Sequence, residues 1–95
     1  MTLARATMAR TGAPEGAAVR DLDGRTYAAA SVSMASLSLS ALEVCVAMAV
    51  SSGAGGLEAA VRLGGEGEPD LEAVRELGGD DVLVHVGDAR GTISA

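Results

Sequence analysis

The sequence predicts an α/β domain in which helices pack on a mixed β-sheet of about five strands, in the order α-β-β-α-β-α-β-β. Asp23-Gly24 lies between two short apolar runs and signals a β-hairpin. Residues 41–52 form an apolar stretch of helical length with no period-two alternation. The run Val82 to Val86 is rich in β-branched residues and places His85 opposite Val84 and Val86, as a strand does.

The elements follow in chain order. Thr2 can cap a short helix running to Arg10, with Leu3, Ala4 and Met8 on its apolar side and Gly12 as its stop. Gly16 to Asp21 reads as the outgoing strand of the hairpin and Arg25 to Val32 as the returning one, with residues 34–40 as a connector. The helix at 41–52 ends at Gly53, and its uniformly apolar surface predicts cover on several sides. Leu57 to Leu63 is ambiguous, since its composition favours helix while its position between two helices suggests a strand. Residues 64–70 form a solvated loop, Pro69 and Asp70 open a helix through Leu77, and residues 92–94 make a short last strand. The similar stretches beginning at Leu57 and Leu71 are too few for a solenoid.

A chain of 95 residues forms one domain, residues 1–95, and at this size buries only about 65% of the surface exposed on unfolding. One Tyr with no Phe or Trp leaves Ala, Val, Leu and Met to build the core, a shortage that self-association would ease. The 48% hydrophobic content excludes a disordered acidic chain despite the net charge of -6. That charge, with scattered Arg as the sole basic type besides one His, argues against binding to nucleic-acid polymers. No apolar run reaches the ~18 residues of a membrane span, and one cysteine makes no internal disulfide, so the expected location is the cytoplasm.

The element order and the local wording resemble the cytidine deaminase family. Residues 16–32, GAAVRDLDGRTYAAASV, are similar to the family's first hairpin, V-G-A-A-V/L followed by D-G and a strand ending in N-x-E; AVSSG at 49–53 is similar to the A-V-S-E-G that closes its central helix. The resemblance implies a three-layer α/β/α fold, a homodimer or homotetramer, and a nucleoside-like ligand. It also implies Zn²⁺ bound by a Cys or His and by two Cys of P-C-x-x-C, with a Glu two residues after the first ligand moving protons. Zinc would lower the pKa of bound water so that hydroxide can attack the base.

Every chemical position of that pattern is altered. The Cys/His-Ala-Glu triplet falls on Ser40, Ala41 and Leu42, and the P-C-x-x-C cysteines on Asp70 and Ala73 after Pro69. The ribose-holding N-x-E becomes Ser31-Val32-Ser33, and P-Y-S-x-F is reduced to residues 12–16, GAPEG. Independently of any alignment, one Cys and one His cannot supply a site that needs at least two thiolates. No zinc cofactor is expected, and zinc-dependent deamination is not supported by the residues present.

Glu43 is the candidate catalytic residue if the register slips by one. Ser40-Ala41-Leu42-Glu43 also fits the S-x-x-E capping box, and capping is the better supported role because a proton shuttle needs an activated water. Leu42 would then fill the vacated pocket. Cys45 reads as a small core hydrophobe. His85 reads as an exposed or interface residue, and Glu66, Glu68, Asp70 and Glu72 read as a solvated acidic loop and helix start without calcium-loop spacing. GAGG at 53–56 and LGGEG at 63–67 lack the Lys-Ser/Thr of a phosphate loop.

The sequence therefore points to an inactive descendant of the deaminase fold, a pseudoenzyme serving as an oligomeric scaffold or a sensor of a nucleoside or other small ligand. Its vestigial pocket comprises Ser31, Ser33, Ser40, Leu42, Asp70 and Ala73. The alternatives are an enzyme with residual or unrelated nucleoside chemistry through Glu43 or His85, and an interaction subunit of another protein.

Overall fold

A computed structural model describes Thr2 to Asp88, with the Thr2 side chain outside the description. Its elements are α1 (Thr2–Thr11), β1 (Glu15–Asp21), β2 (Thr26–Ala30), β3 (Val32–Ser33), β4 (Ser38–Leu39), α2 (Ala41–Ser51), β5 (Leu57–Gly64), α3 (Glu72–Gly78) and β6 (Leu83–Gly87). Four strands form a mixed sheet in the order β2-β1-β5-β6. β1 is antiparallel to both neighbours, whereas β5 and β6 are parallel and are joined through α3, as a parallel pair requires. The predicted strand at 92–94 lies outside the described residues.

The sheet separates two cores. On one face Ala4 and Met8 of α1 pack against Ala18, Val61 and Leu63. On the other, Ala41, Leu42, Cys45, Val46 and Ala49 of α2 and Val74 of α3 cover Ala17, Val19, Tyr27, Ala29 and Ala60. These are the three layers α/β/α. Gly16 allows the α1 contact, since a Cβ there would stand 2.6 Å from the Ala4 carbonyl oxygen.

The hairpin is fixed by Asp21, which is 1% exposed. Its Oδ1 accepts the N–H groups of Asp23 and Arg25 at 2.9 and 3.0 Å, and its Oδ2 accepts the Tyr27 hydroxyl at 2.9 Å. Gly24, at φ 85°, supplies the left-handed residue of the turn. Burial pushes the Asp21 pKa up, but the bonds from Arg25, Tyr27 and Asp23 together outweigh it and leave the carboxyl below its ordinary value.

β5 resolves the ambiguity at Leu57 to Leu63. Its helix-forming composition yields to position: Val61 and Leu63 are buried under α1, Leu57 and Ala60 on the face of α2, and β1 and β6 bond its two edges.

Three sequence expectations are corrected. The returning strand breaks at Ser31, whose N–H turns to the Glu15 carbonyl at 3.2 Å, and the expected connector instead supplies β4, which pairs with β3 as a small ribbon. The four described strands of the sheet are ones the sequence predicts, and the ribbon stands beside them. α3 begins at Glu72 and not at Pro69, because Asp70 Oδ1 accepts the Glu72 N–H at 3.0 Å from ahead of the helix. α2 is covered on several sides, by the sheet and by α3, while Met48 and Val50 on its outer side are 38% and 56% exposed. No helix among the described residues is long and apolar enough to cross a membrane.

Candidate functional site

The head of α2 rises beside the β5–α3 connection, and a cavity of about 200 Å³ lies between them. Ser40, Leu42, Pro69 and Asp70 line it together with Glu15, Arg62, Glu66 and Glu68. Four carboxylates thus face one guanidinium around a small space, so the local field favours neutral or cationic groups over anions.

Ser40 is the N-cap of α2, in the extended backbone conformation a cap requires. Its Oγ accepts the Glu43 N–H at 3.1 Å, and Glu43 Oε1 accepts the Ser40 N–H at 2.8 Å. This reciprocal capping box is the arrangement that S-x-x-E spacing predicts, and it turns the Glu43 carboxylate toward its own helix start. Glu15 Oε1 accepts the next helical N–H, that of Ala41, at 2.8 Å. Leu42, 2% exposed, closes the cavity floor and belongs to the α2 core.

The cavity brings together Ser40, Leu42 and Asp70 of the sequence-derived pocket. The other three lie apart. Ser31 is half-buried at the break after β2, Ser33 is exposed on β3, and Ala73 packs on the α2–α3 core. Cys45 is fully buried, and burial pushes its thiol up to about 12, with a bond from the Ala29 backbone opposing in part. His85 is exposed and registers with Val61 on the α1 side of the sheet. There it borders a hollow of about 280 Å³ shared with Arg20, Thr26 and Ala59. That larger hollow is an open sheet face, whereas polar groups converge in the smaller cavity at α2, which is the better candidate site.

The donor chemistry at the head of α2 does not fit zinc. Zinc sites use thiolate, imidazole and carboxylate. Here the cap hydroxyl is engaged with its own helix, Leu42 offers carbon alone, the chain's one thiol and one imidazole lie elsewhere, and the carboxylates that line the cavity do not converge as a ligand set. Among the described residues no three His, Cys, Asp or Glu side chains gather as a metal-holding group.

Glu15 and Arg62 were not singled out from the sequence. Arg62 is 6% exposed, donates from Nη2 to the Gly67 carbonyl at 2.7 Å and has a buried Nε without a hydrogen-bond partner. One signal was available: Glu15 stands where V-G-A-A-V/L has its first valine.

The fold and cavity together define a three-layer α/β/α domain with a polar cavity at the head of its central helix. A profile of the cytidine deaminase-like family matches residues 1–91. The chain belongs to that family. Among solved structures it is similar to cytidine deaminase from Burkholderia pseudomallei, with a TM-score of 0.77 at 20% identity, covering 98% of this chain and 85% of that one. Cytidine deaminase from Mycobacterium leprae superposes with a TM-score of 0.74 at 23% identity over 90% of this chain and 82% of that one. A mutant cytidine deaminase from Mycobacterium tuberculosis gives 0.68 at 26% identity over 87% and 82%. No curated protein matches the chain in sequence.

Proposed function

We propose that this protein is a catalytically inactive member of its family that acts as an oligomeric scaffold. One observation carries the reading. The positions that would supply the metal chemistry hold a capped serine, a buried leucine, an aspartate and an alanine, in a chain with a single Cys and a single His. The framework around them is intact, from the hairpin stapled by Asp21 to the parallel β5–β6 pair. Exposed Met48 and Val50 on α2, with Met34 and Leu37 at the β3–β4 ribbon, favour burial against further copies. A reducing compartment such as the cytoplasm is part of the same proposal, since Cys45 is unbridged.

The cavity at α2 favours a second reading, in which the scaffold also senses a small ligand. A nucleoside-like molecule, neutral and donor-bearing, suits its acidic lining better than a phosphorylated one. Residual chemistry through Glu43 is the weaker alternative, because its carboxylate is spent on the helix cap.

Incubation of the purified protein with cytidine, followed by ultraviolet absorbance, tests the inactive assignment; turnover above buffer overturns it. Titration calorimetry with cytidine, uridine and deoxycytidine decides between scaffold and sensor, because saturable heat from any of them establishes sensing. Light scattering behind gel filtration tests assembly, and a clean monomer at micromolar concentration rejects the oligomer.

A further inference from the structure

Two side chains from neighbouring strands meet beneath the head of α2. Glu15 opens β1, and Arg62 of β5 registers with Ala17, two residues further along the same face. Glu15 reaches from its Oε1 to the Ala41 N–H, across 26 positions of sequence, while its Oε2 lies 3.9 Å from Arg62 Nη1. Arg62 Nη2 continues the chain of contacts to the Gly67 carbonyl, in the segment that leads to α3. The side chains are 8% and 13% exposed, so water screens the pair little.

We propose that the Glu15–Arg62 pair is a polar cross-link that fixes the head of α2 to the sheet and to the approach of α3, in a place whose donor set does not suit a metal. Buried arginine is rare unless paired, and this one sits on an inner strand of the sheet. With its Nε unpartnered, the guanidinium is held through its terminal nitrogens, Nη2 by the hydrogen bond to Gly67 and Nη1 by the ion pair with Glu15. The cross-link joins β1, β5, the α2 head and the β5–α3 connection at one point. It is independent of whether the cavity takes a ligand, and of whether the chain is active.

Amide hydrogen exchange and thermal melting on the full chain test it, using Glu15→Gln, Arg62→Met, the double variant, and Arg20→Met from the exposed Arg20–Glu58 pair as control. Each site variant is expected to speed exchange at Ala41 by about tenfold or more, since a hydrogen bond to a charged acceptor is weakened or freed. Each should also lower the Tm by roughly 10 °C. The double variant should lose much less than the sum of the two, the differences should persist in 1 M salt, and Arg20→Met should leave Ala41 unchanged. Chelator should alter neither readout in the parent protein. Unchanged Ala41 protection in Glu15→Gln, additive losses, or chelator-induced loosening of the parent would each overturn the proposal. Glu15→Gln retains an acceptor oxygen and carries the test if Arg62→Met does not fold.

Discussion

Ser40 and Glu43 exchange hydrogen bonds across the first turn of α2, Ser40 Oγ receiving the Glu43 N–H while Glu43 Oε1 receives the Ser40 N–H. The serine at the first ligand position of the deaminase pattern and the candidate catalytic carboxylate are thereby committed to the helix start. Ser40→Ala should cost about 1 kcal/mol of stability, with a Tm lower by roughly 4–8 °C. Glu43→Gln, which keeps an acceptor oxygen, should cost less. Urea melts of the two variants check the order.

The Asp21–Tyr27 bond makes stability depend on acid. The folded-state pKa of Asp21 is depressed, so its contribution is present above its unfolded value of about 3.9 and is lost as pH falls through the lower folded value. Denaturant melts of the parent and Asp21→Asn should therefore differ most near neutral pH and converge in strong acid. A gap that widens on acidification would reverse the sign of this argument.

Leu42 is both cavity floor and core residue. Leu42→Ala should cost about 2–5 kcal/mol, the range for emptying a buried leucine site. Leu42→Glu, which puts a carboxylate where the deaminase pattern has one, should destabilise further by burying charge and should bring no turnover. Melting curves and the cytidine assay read the two effects separately.

Cys45 is sealed in the α2 core with its thiol raised to about 12. Native protein at pH 8 should resist maleimide for hours and label fully in denaturant. Fast native labelling would show that α2 opens from the sheet.

Much of the fold was legible because it rests on local rules. Asp23-Gly24 marks the hairpin, Gly12 and Gly53 mark helix ends, and the alternation around His85 places that side chain outside, as the β6 burial pattern shows. Leu57 to Leu63 was readable only through its neighbours, since its residues prefer helix and the sheet overrides them. The start of α3 was misplaced because Pro69-Asp70 resembles a helix opening, while the Asp70 side chain bonds ahead of the helix. The candidate site was legible in part. Ser40, Leu42 and Asp70 follow from motif positions, but Glu15 and Arg62 are brought to the α2 head by strand register, which linear spacing does not reveal. Cover of α2 on several sides was legible from its apolar surface, whereas the exposure of Met48 and Val50 was not, because hydropathy records what is apolar and not what covers it.

The central claim, that the head of α2 is built and held without a catalytic metal, is tested most directly by the zinc content of protein purified from zinc-supplemented cells without chelator. The account predicts no stoichiometric zinc, and a melting temperature indifferent to added zinc. One tightly held zinc per chain, lost together with stability when Ser40 and Asp70 are both replaced by alanine, would contradict it.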